Sequence, residues 1–409
     1  MIFLRNTSLI MQLVLFTLAG FSQSRFVNPI EGSYGNEYII VNYVDWGSGA
    51  SIGDNHCLNK SYNGHQGTDF VIKNFFTMDS GINVLAVDTG VVIFTKDGEF
   101  DREKTSDTSK HLGNYIGITH SGKLQTYYGH LRTNSIKVSV GDTVFPGQVI
   151  GQIGSSGNSS DPHLHFELWY DSLYYIDPFK GPCGNNSTYW KNPIAFDSTF
   201  NVWESGILNF VPNLDTLQEG LSTLDTIRDT DSNITFWNLQ YGLRTDDSLV
   251  LDWYTPTGIL WFKFDLTIQQ NWWYYYYWSY IKNPTDGPFG EWSVQLSRNN
   301  VVVATQSFYR LKTISDTTIQ DTNIVDTMNI SYNSDPANYL VKTTNKYWEV
   351  VCPNIAQQIQ VLEISGKSMI SIKPTGSNVS IDRSLLSVGT YILKIRNVNS
   401  IKTIRIFND

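Results

Sequence analysis

The chain has 409 residues, more than one hydrophobic core usually organises, so we expect two or three domains. Hydrophobic residues make up 41% and charged residues only 16%, which argues against dominant disorder and favours β-structure over helical bundles. The net charge of -9 comes without a basic stripe that could neutralise phosphates, so nucleic acid and anionic membrane surfaces are not expected partners.

Residues 1–24 have the layout of a secretory signal peptide. One positive charge, Arg5, precedes the apolar run LIMQLVLFTLAG, and small or polar residues follow it. The run is short for a membrane span, and an N-terminal anchor helix is the alternative. Because no later segment approaches the length of a membrane span, we expect an exported mature protein without one, secreted or at the cell surface.

Residues 25–197 are predicted to form an antiparallel β-sheet domain. Short runs rich in Val, Ile, Thr and Tyr alternate with Gly-containing turns, as in INVLAVDTGVVIF and NYIGITHSGKLQTYYGHL, which is typical of hairpins. Cys57 and Cys183 bracket most of this region, and in an oxidising compartment a disulfide between them would tie its ends together. The sequence leaves the pairing open, and three free thiols, with Cys352 as the third, are the alternative.

Residues 198–311 also read as all-β, and the spacing of the strand candidates suggests an Ig-like β-sandwich. Within this region, residues 270–278 read QNWWYYYYW. Strand alternation sends these rings to both faces, so we expect them to pack in the core or against the first domain. An aromatic surface that binds glycans is the alternative.

Residues 312–338 are a predicted linker, because Thr, Asp, Asn and Ser dominate and large apolar clusters are few. Residues 339–409 show short strands again and are predicted to form a small terminal β module. The expected fold class is therefore mainly β: an antiparallel β-sheet domain, a β-sandwich and a small C-terminal β module.

The stretch DPHLHFEL, residues 161–168, places two of the seven histidines two positions apart. Residues i and i+2 of a strand point to the same face, so His163, His165 and Glu167 should face one way and the apolar residues between them the other. Alone, the pattern fits a solvated strand face as well as a metal or catalytic site.

A second motif, GHQGTDFVI, supplies partners for this pair. It places His65 and Asp69 four residues apart in a glycine-containing loop that enters a strand. A catalytic zinc ion takes three protein ligands and leaves a position for water, so these two residues and one histidine of the later pair would complete a site. His130, in TYYGHL, and the unused histidine of the pair remain as further candidates.

The ordered motifs HQGTD, VLAVDTGVV, GNYIGITHSG, TYYGHL and SSDPHLHFEL resemble those of lysostaphin-type (LytM-like) zinc metallopeptidases, which cut peptidoglycan peptides. The resemblance covers about residues 64–168. It implies that His65, Asp69 and His165 are metal ligands. It also implies that His163 works on the catalytic water and that His130 is a second histidine of the site outside the ligand set.

This resemblance predicts a secreted endopeptidase with one Zn²⁺ per chain, acting on peptidoglycan stem or cross-bridge peptides. Zinc lowers the pKa of its water from about 15.7 towards 7 and polarises the scissile carbonyl. His163 would move the remaining proton, and His130 would donate a hydrogen bond to the developing oxyanion. For Glu167 we expect a solvated carboxylate at the rim, with orientation of a ligand as the alternative. The other three histidines are assigned structural roles: His56, His111 and His120.

The terminal module, through GTYILKIRN and IKTIRIFND, resembles the C-terminal sorting domains of the type IX secretion pathway of Bacteroidota. The resemblance implies the type IX secretion machinery as a partner and release or attachment at the cell surface. An ordinary Ig-like module is the alternative.

Residues 36–65 depart from the family pattern, because the asparagine or arginine segment that many relatives carry before the first motif cannot be assigned there. Inhibition by a pro-segment therefore stays open. Two rival functions also stay open: a non-catalytic protein that binds the wall or regulates another hydrolase, and a surface adhesin or scaffold with a structural zinc.

Overall fold

A computed structural model describes residues 25–102, 104, 111–313, 340–343, 346–351, 358–363, 368–387, 389–396 and 401–408. The predicted signal peptide and all but two residues of the predicted linker lie outside the described residues. The chain forms two compact units, Met1–Ile314 and Ser315–Asp409. Both are mainly β, as predicted.

The first part of unit 1 is built on an antiparallel sheet in the strand order β1-β2-β9-β6-β5-β4-β7, with β10 paired to β9 and with β3 and β8 as a separate pair. Its elements are β1 (Ile39–Asn42), β2 (Thr68–Val71), α1 (Phe75–Ser80), β3 (Asn83–Leu85), β4 (Gly90–Lys96), β5 (Tyr115–Thr119), β6 (Leu124–Gly129), β7 (Thr143–Val144), β8 (Val149–Gln152), β9 (His163–Tyr170) and β10 (Tyr174–Ile176).

Strand β9 lies between β2 and β6, so both of its edges are hydrogen-bonded. Leu164, Phe166 and Leu168 point into the hydrophobic core and are fully buried there, as the alternation of DPHLHFEL predicts. The opposite face of the same strand carries the histidines. The strand register places Asp69 of β2 opposite His165.

A disulfide joins Cys57 to Cys183, with 5.3 Å between their Cα atoms. The sequence left the pairing open, and the structure pairs the two cysteines that bracket most of this first part of the chain. The disulfide closes a loop with a sequence separation of 126 residues, so it restricts the unfolded chain strongly. Cys352 lies outside the described residues.

The second part of unit 1 is a β-sandwich of two sheets, β11-β13-β16 and β12-β18-β17-β14-β15, in which the short β12 runs parallel to β18. Its core contains the fully buried Phe236, Trp253 and Trp292. The elements are β11 (Asn201–Leu208), α2 (Leu214–Gln218), β12 (Thr226–Arg228), β13 (Asn233–Tyr241), β14 (Ser248–Tyr254), β15 (Leu260–Thr267), β16 (Tyr275–Lys282), β17 (Gly290–Arg298) and β18 (Val301–Leu311).

The aromatic run 270–278 packs against the first part of the unit. The Trp273 indole N–H donates to the Asn59 carbonyl (3.0 Å), and the Tyr274 and Tyr276 hydroxyls both donate to the Lys73 carbonyl, at 2.9 and 2.7 Å. Trp273 also joins an apolar cluster with β1 and β2. These rings are thus used for packing between the sandwich and the first sheet.

Unit 2 is a small two-sheet β module, with the strand orders β19-β20-β23 and β22-β21-β24-β25. Trp348, Ile359 and Leu393 are buried in its core, which draws residues from both sheets. Its strands are β19 (Leu340–Thr343), β20 (Tyr347–Val351), β21 (Gln358–Glu363), β22 (Ser368–Ile372), β23 (Asn378–Asp382), β24 (Gly389–Arg396) and β25 (Ile401–Asn408). Among the described residues of either unit, no helix is long and apolar enough to cross a membrane.

Candidate metal centre

Three side chains converge on the open face of the first sheet: His65, Asp69 and His165. His65 Nε2 lies 3.1 Å from Asp69 Oδ1, His165 Nδ1 lies 2.8 Å from the same oxygen, and the two ring nitrogens are 3.2 Å apart. All three residues are buried. Two imidazole nitrogens and a carboxylate oxygen form the donor set that zinc takes in catalytic sites with three protein ligands.

The local backbone explains this convergence. His65 lies in a loop that enters β2, as the glycines of GHQGTD predict, and Asp69 sits on β2 opposite His165. Gly67 makes the close approach possible. A Cβ at this position would lie 2.6 Å from His165 Nε2 and 2.7 Å from the Phe166 carbonyl oxygen, so any larger residue would displace the ligand.

The outer atom of each candidate ligand is held by its own partner. His65 Nδ1 lies 2.8 Å from the Tyr43 carbonyl oxygen, and Asp69 Oδ2 accepts from the Asn42 side-chain amide at 2.8 Å. His165 Nε2 lies 3.0 Å from a Glu167 oxygen. A carbonyl or carboxylate oxygen only accepts, so these outer ring nitrogens can each donate a proton to their partner. His65 Nε2 and His165 Nδ1 both face Asp69 Oδ1, and a metal ion would replace any proton held between them. The residues therefore fit a zinc ion.

Glu167 corrects one prediction. The expectation of a solvated rim carboxylate is wrong, because Glu167 is only 9% exposed. One of its oxygens faces His165 Nε2, and the other accepts from the Trp169 indole N–H at 2.6 Å. Glu167 thus sets the orientation of the His165 ring, which was the alternative.

His163 and His130 complete the group of predicted site residues. His163 Nδ1 lies 2.7 Å from the Asp161 carbonyl oxygen, and its Nε2 lies 3.7 Å from Asp69 Oδ1. His130 Nδ1 lies 2.7 Å from the Ser156 carbonyl oxygen, and the His130 and His163 ring centres are 4.5 Å apart. Both rings therefore carry a proton on Nδ1 that is bound to a carbonyl oxygen, and Nε2 is the remaining nitrogen of each ring.

The charges of the site favour a cation. Burial opposes ionisation of Asp69, but the neighbouring His65 and His165 outweigh it and hold its pKa well below the usual range. Burial likewise opposes a charged His165, but its hydrogen bonds to Asp69 and Glu167 raise its pKa to about 10. Burial, with His163 and His165 nearby, lowers the pKa of His130 well below its usual value.

Sequence reasoning missed the upstream residues of the site. Asn42 and the Tyr43 carbonyl orient two candidate ligands, and the Tyr62 ring lies 4.3 Å from the His65 ring. Residues 36–65 contain five asparagines, and their spacing alone does not distinguish Asn42 from the others. Its pairing with Asp69 depends on a register shift between Ile40 and Asn42, which no local pattern signals.

The three remaining histidines have other surroundings. His120 bonds the Thr89 carbonyl and the Thr126 hydroxyl, and His56 stacks on Phe196 with ring centres 4.0 Å apart. His111 lines an open groove of about 420 Å³ that reaches Glu167. The other residues along this groove are Leu112, Tyr115, Tyr127, Trp169 and Ser172.

Comparison with known proteins assigns this part of the chain. Residues 63–178 match the model of peptidase family M23, so they are a domain of the M23 (LytM/lysostaphin-like) type. The chain is 35% identical over 161 residues to glycyl-glycine endopeptidase ALE-1 of Staphylococcus capitis, covering 37% of this chain and 40% of that protein. It is 34% identical over 113 residues to peptidoglycan DD-endopeptidase ShyA of Vibrio cholerae, covering 28% of this chain and 22% of that protein. The chain thus spans less than half of either relative.

Two solved structures are similar over about the same part. The catalytic domain of lysostaphin from Staphylococcus simulans is 28% identical, with 34% of this chain and 85% of that chain covered and a TM-score of 0.23. The catalytic domain of the prophage-encoded M23 protein EnpA from Enterococcus faecalis is 23% identical, with 36% and 92% covered and a TM-score of 0.26.

Proposed function

We propose that this protein is a zinc-dependent metalloendopeptidase that hydrolyses peptide bonds in peptidoglycan stem or cross-bridge peptides. The observation that carries the proposal is the convergence of three donor atoms, each fixed by a separate partner, beside two histidines that are held at Nδ1 by carbonyl oxygens. Two relatives, a glycyl-glycine endopeptidase and a peptidoglycan DD-endopeptidase, support the substrate class.

His65 Nε2, Asp69 Oδ1 and His165 Nδ1 would hold one zinc ion per chain. When bound, zinc supplies a Lewis acid that lowers the pKa of water to about 7 and polarises a carbonyl. Asn42, the Tyr43 carbonyl and Glu167 keep the three donor atoms aimed at one point, so little reorganisation is needed to take up the ion.

His163 is the proposed proton carrier. Its Nδ1–H is bound to the Asp161 carbonyl, so the neutral ring presents a lone pair at Nε2 on the side of the ligands. That nitrogen takes the proton from the attacking water and then delivers it to the leaving amine.

His130 is the proposed donor to the developing oxyanion. Because its Nδ1–H is bound to the Ser156 carbonyl, donation from Nε2 needs the doubly protonated ring. Burial lowers the pKa of His130 and works against that form in the resting site. Negative charge that develops on the substrate favours it, so the stabilisation grows towards the transition state.

The proposal includes export. The signal peptide predicted at residues 1–24 would direct the chain across the inner membrane, and the terminal module would use the type IX secretion machinery to reach the cell surface. The support is the sequence pattern and the resemblance described for residues 339–409. The enzyme would then act on wall material outside the producing cell.

Purified protein tests the proposal directly. We expect about one zinc ion per chain by elemental analysis and release of soluble fragments from purified sacculi, with mass spectrometry of defined muropeptides identifying the cleaved bond. His163→Ala should keep the zinc and lose the release. Stoichiometric zinc without cleavage of any muropeptide would instead indicate a wall-binding or hydrolase-regulating protein, or an adhesin or scaffold with a structural zinc.

A further inference from the structure

The β-sandwich reaches the candidate metal centre through α2. Gln218, at the end of α2, is only 5% exposed although it lies on a short surface helix. Its amide N–H donates to Asp161 Oδ1 at 2.5 Å and lies 3.4 Å from the Ser160 carbonyl oxygen. Asp161 is two residues before His163, so a residue of the sandwich contacts the segment that leads into β9.

Asp161 connects this contact to the His163 ring. Its carboxylate receives Gln218, while its backbone carbonyl receives His163 Nδ1–H at 2.7 Å. Ser159 adds a hydroxyl bond to the same carbonyl at 2.9 Å. The carbonyl that sets the tautomer and tilt of His163 therefore belongs to a residue held from both sides.

The α2 segment is itself fixed on the first domain. Lys104 bonds Asp215 at 2.8 Å and Gln218 Oε1 at 2.9 Å, and Arg102 bonds Glu219 at 3.2 Å. Because Oε1 accepts from a lysine and Nε2 donates to a carboxylate, these two partners fix which way the Gln218 amide faces. Gly220 continues this contact, because a Cβ there would lie 2.8 Å from Phe76 Cβ.

We propose that Gln218 is a positioning residue for His163, through which the β-sandwich fixes the geometry of the peptidase site. This inference rests on the proposed function. Gln218 contacts no reacting atom, and its effect passes through Asp161. Loss of its hydrogen bond frees the Asp161 segment, so the His163 ring turns away from its working position while the three ligands, on β2 and its loop and on β9, stay in place.

Kinetics on defined muropeptides test the inference. Gln218→Leu keeps the side-chain volume and removes all three hydrogen bonds of the amide, to Asp161, Ser160 and Lys104, and we expect kcat to fall about 10- to 100-fold. We expect KM to stay within about twofold and the zinc content to stay unchanged, because substrate binding and ligands are not altered. Asn271→Ala is the matched control. It removes a 2.9 Å bond to Asn59 across the same domain boundary, away from Asp161, and should leave kcat unchanged.

A paired exchange separates positioning from general packing. Gln218→Glu alone sets two carboxylates against each other and should lower kcat as far as Gln218→Leu does. Combined with Asp161→Asn, it restores an N–H to carboxylate bond with donor and acceptor exchanged, and kcat should return to that of Asp161→Asn alone. Unchanged kcat in Gln218→Leu, loss of zinc together with kcat, an equal loss in Asn271→Ala, or no recovery in the pair would each overturn the inference.

A spectroscopic measurement keeps this inference distinct from the proposed function. In zinc-loaded protein with ¹⁵N-labelled histidine, the His163 Nδ1–H signal, assigned by its absence in His163→Ala, should be visible in the parent and in the paired variant and broadened beyond detection in Gln218→Leu. An unchanged signal in Gln218→Leu refutes the positioning role even if the enzyme is active. An inactive parent refutes the proposed function alone.

Discussion

Glu167 should contribute strongly to zinc affinity although it is not a ligand. It is buried, faces His165 Nε2 at 3.0 Å and accepts from Trp169 at 2.6 Å. Glu167→Leu removes the acceptor for both N–H groups, so the His165 ring loses its fixed direction. Removal of such an outer partner typically weakens metal binding about 10- to 100-fold, or about 1.4 to 2.7 kcal/mol. We expect the upper end, because Glu167 and His165 are both buried and the substitution leaves a buried N–H without its acceptor.

Glu167→Gln should be milder, with a loss of about 10-fold, because its amide oxygen still accepts from His165 while its NH₂ then opposes the Trp169 N–H. Trp169→Phe isolates that second bond and should cost less than either change. The assay is competition for zinc with a chromophoric chelator at constant pH, with circular dichroism to verify the fold. Equal zinc affinity in the parent and in a folded Glu167→Leu would refute the reasoning that the outer carboxylate orients the ligand.

The remaining predictions concern Gly67, the pH dependence of zinc affinity, His130 and the buried Asp177. Gly67→Ala should abolish zinc binding in a folded protein, because its Cβ would lie 2.6 Å from His165 Nε2 and push the ring away. Elemental analysis measures the zinc content, and a full zinc content would contradict this close approach. Because the pKa of His165 is raised to about 10, a proton occupies Nδ1 at neutral pH, so zinc affinity should rise with pH, by up to about tenfold per unit, until pH 10; chelator competition across pH 6 to 9 measures the slope, and a flat profile would contradict it. If His130 acts as a hydrogen-bond donor, His130→Gln should retain about a tenth or more of the activity that is lost in His130→Ala. An equal loss of activity in both variants would point to proton transfer by His130 instead. Burial raises the pKa of Asp177 to about 7, although the Phe179 N–H donates a hydrogen bond to its carboxylate. The contribution of Asp177 to the free energy of unfolding is therefore full below about pH 4 and declines as pH rises through 7, by up to about 4 kcal/mol. Urea unfolding should show this decline in the parent and not in Asp177→Asn.

Much of the site could be predicted from sequence because local rules determine it. Strand alternation places His163, His165 and Glu167 on one face, and the glycines of GHQGTD give a loop that delivers His65 to the start of β2. The same alternation fails for the surroundings of Glu167. A period of two predicts which face a side chain takes, but not what covers that face, and here Trp169 and His165 cover Glu167.

Contacts between distant segments account for what sequence reasoning missed. Asn42 reaches Asp69 from a strand 27 residues earlier, across a register shift, and Gln218 reaches Asp161 from the β-sandwich part of the same unit, 57 residues later. Neither residue belongs to a motif with a local period. The aromatic run shows the same limit, since its composition suits both a glycan surface and a buried interface, and only its contacts with Asn59 and Lys73 decide for packing.

The four histidines of the site differ in which ring nitrogen is held, and in the proposed mechanism this difference lets one strand supply both a ligand and a proton carrier. Glu167 holds His165 at Nε2, so that ring offers its near nitrogen, Nδ1, to the ligand cluster. The Asp161 carbonyl holds His163 at Nδ1, so that ring offers its far nitrogen, Nε2. Two residues one pleat apart therefore reach towards the same point from different distances, one at ligand range and the other 3.7 Å from the Asp69 oxygen. In the proposed mechanism, the acceptor behind each ring, and not the histidine pair itself, therefore separates the metal ligand from the proton carrier.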